Sequence, residues 1–418
     1  MERPGKRRSC EREIDRRAFL RRSGSASLGL AAAATLLSAC SSAEPRRSGP
    51  SFRLARPDRP VTLPLFDDNP PLDDDLPPEQ GATLKIYNWE EYLWPKVANE
   101  FAEKYSIEVE ISSFANMDEA LSRLRSGRDD YDVFFHRVDV LGKLAAEKIV
   151  RPLNHSYIPN LDEYVWAVYR NPFYDQGWRY TVPYTVYTTG IAWRIDYVDE
   201  DVAAMPNPYE IYWEPKYKGK INLFDDYREV LGMALLKNGI TNLNTARAKD
   251  IALAQKDLTE LADLVGALSI DAYDNLPKGR AWIHQAYSGD MVAAQYYFPK
   301  GADPTVPRYW APTDGRGAVG NDTIAVLKNG KNPVLAHHFL NYLLDSQTAM
   351  KNFGWNGYQP PQRDADPERL VGEGYVPSYL ENTIVRTKDF NRGFMELELS
   401  PSVDELWHDA WEEFRTHV

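Results

Sequence analysis

The sequence predicts an α/β protein built on a mostly parallel β-sheet. From Leu84 onward, short runs with strand character alternate with runs whose apolar residues recur at helical spacing. Such a β-α-β-α order is typical of parallel strands with right-handed connections. The length of 418 residues leaves room for two or more domains, and a composition of 43% hydrophobic and 26% charged residues is ordinary for a folded globular protein.

The first 39 residues are interpreted as an export signal and not as part of the fold. Arg16 and Arg17 precede an apolar run of small residues from Ala26 to Leu37, which is the layout of a signal with a basic start. The paired arginines are typical of twin-arginine signals. The following Leu-Ser-Ala-Cys resembles a lipobox, so Cys40 is the predicted lipidation site. The alternative is a membrane-spanning helix, but the run is shorter than the roughly 20 residues that a span needs.

Cysteine content and charge limit the possible functions. Cys10 lies inside the signal, so cleavage leaves only Cys40 and excludes both an internal disulfide and a cysteine metal cluster. The signal carries nine basic and four acidic residues, so its removal changes the net charge from −12 to about −17. A strongly acidic chain is a poor nucleic-acid binder and favours cationic ligands. The histidines are scattered, and neither a metal nor a cofactor is expected.

Residues 40–80 are expected to form a lipidated, disordered tether. This stretch is rich in Pro, Asp and Arg, and it has too little apolar surface to offset the entropy of ordering. A tether of this kind would hold a folded body away from a membrane surface, which places the protein outside the cytoplasm, in the periplasm or on the cell surface.

The folded body begins with three predicted strand–helix pairs. The first strand and the third contain β-favouring apolar residues, and the helices carry apolar residues on one side. The predicted elements are strands at 84–88, 107–111 and 131–135 and helices at 96–105, 118–125 and 140–144.

The remaining elements are predicted from the same periodicities. A long Thr- and Tyr-rich strand from Tyr180 to Trp193 is expected to carry the chain out of the first lobe. Ser402 begins a predicted capping box before an amphipathic C-terminal helix. The other predictions are strands at 221–224, 290–298 and 322–327 and helices at 226–237, 246–264 and 333–353.

Two groups of residues stand out as candidates for binding. Trp89 and Tyr92 follow the first strand, where open α/β sheets bind ligands, although the same rings would also serve as a roof over the core. Asp226 and Glu229 share one face of the first turn of a helix. They are suited either to capping that helix or to gripping an ammonium or guanidinium group. No nucleophile elbow, zinc-protease motif or phosphate-binding loop is present in the sequence.

Five motifs follow one another along the chain, namely Leu84–Tyr92, Tyr180–Tyr184, Pro215–Lys220, Asp225–Val230 and Gly357–Pro360. In this order they resemble the spermidine/putrescine-binding proteins of bacterial ABC importers. The resemblance covers most of the chain from Leu84 to about Pro361. It implies a periplasmic-binding-protein fold in which two α/β lobes with mixed, mostly parallel sheets, joined by hinge strands, close on a ligand. The predicted lobes are 81–188 with 322–365, and 189–321 with 366–418.

The resemblance also implies a ligand-binding site. Aromatic rings would cover the methylene groups of a polyamine and attract its cationic nitrogens, while carboxylates would bind those nitrogens. Tyr297 stands near the position of a family tryptophan. The implied aromatic residues are Trp89, Tyr92, Tyr297 and Tyr358, and the implied acids are Asp226, Glu229 and Asp322.

The sequence departs from the family pattern at two places. Arg137 and Asp139 follow the third strand where the family commonly has Ser and Tyr, and Gly320 stands in place of a Trp. An arginine in the cleft would repel a polycation unless it is paired, for instance with Asp139. Alternatively, Arg137 would bind a carboxylate, which would suit a zwitterionic amino-acid-like ligand or a shorter amine.

The predicted function is therefore that of a monomeric, lipid-anchored receptor. It would capture a polyamine and deliver it to an ABC permease in the membrane without performing a reaction. Two other classes remain open: an exported hydrolase in which Asp226 and Glu229 do acid–base work, and a surface lipoprotein that contacts only proteins.

Overall fold

The computed structural model describes residues 53–418. The predicted export signal and the lipidation site at Cys40 lie outside these residues. Within residues 53–418, no helix has both the length and the apolar character that a membrane span requires.

The described residues form a single mixed β-sheet. Its strand order is β2-β1-β3-β9-β4-β7-β5-β6, and β8 pairs with β4 beside this path. The strands are β1 (Thr83–Trp89), β2 (Glu108–Phe114), β3 (Val133–Arg137), β4 (Thr181–Arg194), β5 (Ile221–Leu223), β6 (Val265–Leu268), β7 (Ile283–Tyr287), β8 (Pro307–Trp310) and β9 (Ala318–Val326).

Two parallel parts of the sheet are joined by antiparallel strands. β1 is parallel to β2 and β3, and β5 is parallel to β6 and β7. Between these parts, β9 and β4 run antiparallel to each other and to their outer neighbours. The register places Asp322 opposite both Arg137 and Thr185. The predicted α/β class with a mixed sheet is confirmed.

Thirteen helices lie among the described residues. They are α1 (Pro95–Tyr105), α2 (Met117–Ser126), α3 (Leu141–Ala146), α4 (Asn160–Tyr164), α5 (Tyr227–Lys237), α6 (Ala248–Ala262), α7 (Ala272–Asn275), α8 (Ser288–Ala294), α9 (Pro333–Leu344), α10 (Ser346–Asn356), α11 (Pro367–Gly372), α12 (Thr387–Arg392) and α13 (Pro401–Arg415). Short 3₁₀ turns connect several of them.

Three predictions about individual elements are wrong. The expected strand at 290–298 is instead helix α8, because Asp290 accepts a hydrogen bond from the backbone N–H of Tyr287 (3.2 Å) and so caps a helix start. The expected helix at 333–353 is divided at Asp345, whose carboxylate accepts from Thr348 N and starts α10. The last helix begins at Pro401, and Ser400 precedes it without a side-chain cap.

β4 is the strand around which the interior is organised. All 14 of its residues are buried. It contributes Val186 to a cluster of buried apolar residues around β1 and β3, and Ile191 to a second cluster around α5, α6 and α13. Ala192 belongs to a third cluster that contains Met291 and Phe353. A single strand therefore contributes side chains to all three apolar clusters.

Residues 53–80 lie against the body, in contrast to the expected disordered tether. Leu63 is 2% exposed and belongs to the first core cluster. The side-chain amide of Asn69 donates to the carbonyl of Val150 (2.8 Å). The carboxylate of Glu79 accepts from the first backbone amides of α9 at 3.0 and 2.9 Å. The composition of this segment predicted disorder because the segment has little continuous apolar surface. In the structure, a few anchoring contacts hold it against the body. Residues 40–52 lie outside the described part of the chain.

Candidate functional site

A cavity of about 80 Å³ lies where the ends of β1 and β3 and the middle of β9 meet the starts of α5 and α8. Aromatic rings and carboxylates dominate its lining. Among the predicted site residues, the cavity lining includes Trp89, Tyr92, Arg137, Asp226, Tyr297, Asp322 and Tyr358.

The first aromatic residues are positioned by the turn that ends β1. The side-chain oxygen of Asn88 accepts from Trp89 N (2.8 Å), and Glu91 adopts a left-handed backbone conformation with φ 55°. The chain therefore reverses direction and brings Tyr92 back against the sheet, where its ring meets Tyr358 edge-to-face at 4.8 Å. Trp89 remains half-buried at the cavity wall.

Asp322 is a buried carboxylate held by tyrosines. It is 5% exposed on β9. One carboxylate oxygen accepts from the Tyr92 hydroxyl (2.9 Å), and the other accepts from the Tyr187 hydroxyl (3.2 Å). Burial raises the pKa of Asp322 to about 6, although these hydrogen bonds and nearby Arg137 act in the opposite direction. The Asp322 carboxylate is thus a buried negative charge that a ligand cation would stabilise.

Asp290 is a second buried carboxylate, and it is not among the predicted site residues. It is 3% exposed, lines the cavity from α8, and accepts a hydrogen bond from the Tyr358 hydroxyl at 2.7 Å. Burial raises the pKa of Asp290 to about 7, against the lowering effect of the hydrogen bond from Tyr358. The polar Ser-Gly-Asp start of α8 was the available sequence signal, but the stretch was interpreted as a strand.

Arg137 is paired with acids from three parts of the chain. Its Nη1 donates to Asp226 (2.8 Å), and its Nε and Nη2 donate to Asp139 at 3.3 and 3.2 Å. Glu396 lies 3.8 Å from the same Nη1. The pairing of Arg137 with Asp139 that the sequence suggested is present. Because Arg137 is only 7% exposed, these acids compensate a charge that would otherwise be costly to bury.

Asp226 caps helix α5 as the residue pattern predicted. One of its carboxylate oxygens accepts from the backbone N–H groups of Arg228 (2.9 Å) and Glu229 (3.3 Å), while the other binds Arg137. Capping and ion pairing therefore operate at the same side chain.

Glu229 and Asp139 lie behind the cavity and not on its wall. Glu229 accepts from the Thr189 hydroxyl (3.3 Å) and shares a smaller space with Tyr187, Asp139 and Glu396. Burial, followed by the charges of Glu396 and Asp226, raises the pKa of Glu229 well above its usual range. Of the predicted acid pair, only Asp226 lines the 80 Å³ cavity.

Tyr297 reaches the cavity from the chain after α8. Its hydroxyl lies 3.5 Å from a carboxylate oxygen of Glu91, and its ring packs against Tyr273 at 4.9 Å. Other residues that line the cavity but were not predicted are Glu90, Glu91, Tyr187, Asp225, Tyr273, Tyr287 and Trp355. The tyrosine-rich β4 sequence was the signal for Tyr187.

The comparison with known protein families agrees with this geometry. The family described as bacterial extracellular solute-binding protein matches residues 96–372. The chain belongs to this family. Among the described residues of this solute-binding protein, no group of three or more His, Cys, Asp or Glu side chains is arranged to hold a metal ion.

Several relatives extend the match. The spermidine/putrescine-binding periplasmic protein of Escherichia coli is 28% identical over 285 residues, covering 68% of this chain and 78% of the relative. The putrescine/cadaverine-binding protein of Pseudomonas aeruginosa is 24% identical, covering 68% of this chain and 80% of the relative.

A solved structure supports the fold independently. The Treponema pallidum lipoprotein structure has a TM-score of 0.68 at 21% identity, and the alignment covers 80% of this chain and 99% of that one. At this identity, the likeness shows the fold alone. Together with the family match, it confirms the predicted solute-binding protein of the periplasmic-binding-protein type in preference to an enzyme.

Proposed function

We propose that the protein is a lipid-anchored receptor that captures a small polyamine outside the cytoplasm and delivers it to an ABC permease. The observation that carries this proposal is the combination, in one cavity, of aromatic rings with the buried carboxylates of Asp290 and Asp322. The names of the relatives from Escherichia coli and Pseudomonas aeruginosa, which bind spermidine, putrescine or cadaverine, support the same ligand class.

The lining chemistry suits an aliphatic amine. A ring face such as that of Trp89 covers methylene groups and attracts a nearby ammonium by about 0.5–2 kcal/mol. Each charge-assisted hydrogen bond to a carboxylate adds on the order of 1.5–3 kcal/mol. A few such contacts, less the cost of association, reach the roughly −8 kcal/mol of micromolar binding. The predicted site residues that line the cavity are proposed to bind the ligand. Asp139 and Glu229, which lie behind the cavity wall, are proposed to stabilise the side chains that do so.

The proposed receptor consists of two lobes, 81–188 with 322–365 and 189–321 with 366–418, hinged at the crossing strands. Closure around the ligand would present one shape to the permease and the open form another. We also propose that it acts as a monomer.

The lipid anchor is proposed from the sequence around Cys40. Replacing this residue, as Cys40→Ser, should abolish the incorporation of labelled palmitate in growing cells, while Cys10→Ser should not. Retention of the label by Cys40→Ser would contradict the anchor without affecting the ligand proposal.

Thermal unfolding of the purified full-length chain tests the ligand class. Putrescine, cadaverine and spermidine should each be compared with arginine, γ-aminobutyrate and glucose. A ligand at 100 times its dissociation constant adds about 2.7 kcal/mol to the free energy of unfolding. Trp89→Ala should reduce this stabilisation, whereas Trp166→Ala, a half-buried tryptophan that does not line the cavity, should not.

The outcome also separates the other classes. Chemical conversion of an amine would indicate an enzyme, strongest stabilisation by γ-aminobutyrate would indicate a zwitterion receptor, and stabilisation by no small molecule would favour a protein-contacting lipoprotein.

A further inference from the structure

The acidic side chains that line the cavity differ in whether a cationic side chain of the protein already binds them. Arg137 is the single Lys or Arg among the described residues that line the cavity. It lies at one side, against Asp226, while Asp290 lies on α8. A ligand cation therefore meets acids in two different states, and this difference bears on ligand choice.

Asp226 has little capacity left for a ligand. One of its oxygens binds Arg137 at 2.8 Å, and the other accepts from two backbone amides at the start of α5. An ammonium group arriving here would compete with a guanidinium that is fixed by the fold and 7% exposed. Displacing Arg137 would leave a buried cation without its partner, which costs several kcal/mol.

Arg137 has equally little capacity for a carboxylate. Three of its nitrogens already bind Asp226 and Asp139, and Glu396 lies 3.8 Å away. Arg137 and its three acidic neighbours together contain more acids than bases, so a ligand carboxylate would be repelled. This charge balance argues against the zwitterionic alternative.

Asp322 and Asp290 differ from Asp226 in the groups that bind their carboxylates. The hydrogen bonds to their carboxylates come from neutral groups, namely tyrosine hydroxyls and one backbone amide. Within residues 53–418, neither forms a salt bridge within 4.0 Å. The rings of Tyr92 and Tyr358, whose hydroxyls bind these two acids, meet at 4.8 Å. Two buried acids joined by aromatic surface match a molecule with two cationic ends and a short apolar middle.

The size of the cavity agrees with a short molecule. The cavity volume of about 80 Å³ exceeds several-fold the roughly 10–15 Å³ that a single water needs. A short diamine needs less of this space than spermidine does.

We propose that Arg137 takes the place of one ligand cation at Asp226, so that the cavity selects a short diamine held between Asp322 and Asp290 over a longer triamine. This inference rests on the proposed function and narrows it. Arg137 becomes a specificity-determining residue, and Asp290 becomes a ligand-binding residue.

Isothermal titration of the full-length chain with putrescine, cadaverine and spermidine tests the inference. We expect the wild type to bind a short diamine at least about tenfold more tightly than spermidine, which corresponds to about 1.4 kcal/mol. Arg137→Ser frees Asp226 and should reduce that preference by about tenfold or more, since one charge-assisted contact becomes available to the third nitrogen. Arg137→Lys keeps a cation in place and should keep the preference.

Two further variants complete the design. Asp290→Asn should weaken putrescine binding by about tenfold or more. Lys143→Ser removes a cation that pairs with Asp404 at 2.7 Å and does not line the cavity, so it should leave the preference unchanged.

The results distinguish this inference from the proposed function. If the wild type binds none of the three amines, the proposed function fails. If it binds amines but prefers spermidine, or if Arg137→Ser leaves the preference intact, the inference alone is overturned. Should Arg137→Ser fail to fold, unchanged putrescine binding by Asp290→Asn overturns it equally.

Discussion

Ligand binding should weaken as the pH falls from 8 to 6. The empty protein holds Asp290 with a pKa of about 7 and Asp322 with a pKa of about 6, both raised above the ordinary aspartate value by burial. The carboxyl of Asp290 therefore changes from mostly ionised at pH 8 to mostly protonated at pH 6. An aliphatic ammonium keeps its charge throughout, since its pKa lies near 10. At low pH, the ligand ammonium must therefore displace the proton of the Asp290 carboxyl in order to bind.

The magnitude follows from the pKa of Asp290. A single group with a pKa near 7 reduces the affinity by about tenfold between pH 8 and pH 6 if only its ionised form binds the ligand. Asp322 adds about a factor of two, because its carboxyl is about half protonated at pH 6. Isothermal titration with putrescine at both pH values measures the effect.

The same two groups predict the opposite trend for the stability of the empty protein. In the folded state they bind protons that the unfolded chain, with ordinary aspartate pKa values, releases over this range. Their contribution to the free energy of unfolding therefore rises as the pH falls from 8 to 6. Asp290→Asn should remove most of the pH dependence of binding. An affinity that stays constant or increases toward pH 6 would refute the assignment of these acids to the site.

Three substitutions test the packing of the folded body and of the site. In Gly190→Ala, the new Cβ would lie 2.1 Å from the carbonyl oxygen of Trp310, so we expect the free energy of unfolding to fall by at least about 1–3 kcal/mol in urea titrations. In Gly289→Ala, the Cβ would lie 2.5 Å from the Tyr358 ring, so putrescine affinity measured by titration should fall by about tenfold because the ring must move. Asp175→Ala removes an acceptor for three backbone amides and a hydroxyl, so thermal unfolding should show a loss of about 3–5 kcal/mol.

Matched controls make these expectations specific. Gly372→Ala places a Cβ where no atom lies within 4 Å, so it should alter neither stability nor affinity beyond about 0.5 kcal/mol. Wild-type stability in Gly190→Ala or Asp175→Ala would contradict the packing described here, and unchanged affinity in Gly289→Ala would remove Tyr358 from the binding surface.

The periodic parts of the fold were predictable from the sequence because their physical causes are local. The buried run from Tyr180 to Trp193 corresponds to β4, and the Asp226 cap before α5 was found from residue type and spacing. Helix α8 was missed because its start depends on one side-chain acceptor, Asp290, and its short apolar run also suits a strand.

The site was only partly predictable because its charge balance depends on long-range contacts. Resemblance identified the aromatic residues and Asp322, but it placed Glu229 on the cavity wall, whereas the structure places this side chain behind Tyr187. Spacing along the chain does not reveal that Glu396, far from Arg137 in sequence, comes within 3.8 Å of its guanidinium. Neither does it reveal that Asp290 meets Tyr358.

The contacts of residues 53–80 bear on how short a functional chain can be. A fragment that begins at Gly81 would leave the first amides of α9 without the Glu79 acceptor and would open the site that Leu63 fills. Both losses reduce stability, the first by about 1 kcal/mol and the second by a few kcal/mol. A minimal recombinant fragment should therefore retain residues 63–80, and proteolysis within this stretch should weaken the whole fold rather than trim a dispensable leader.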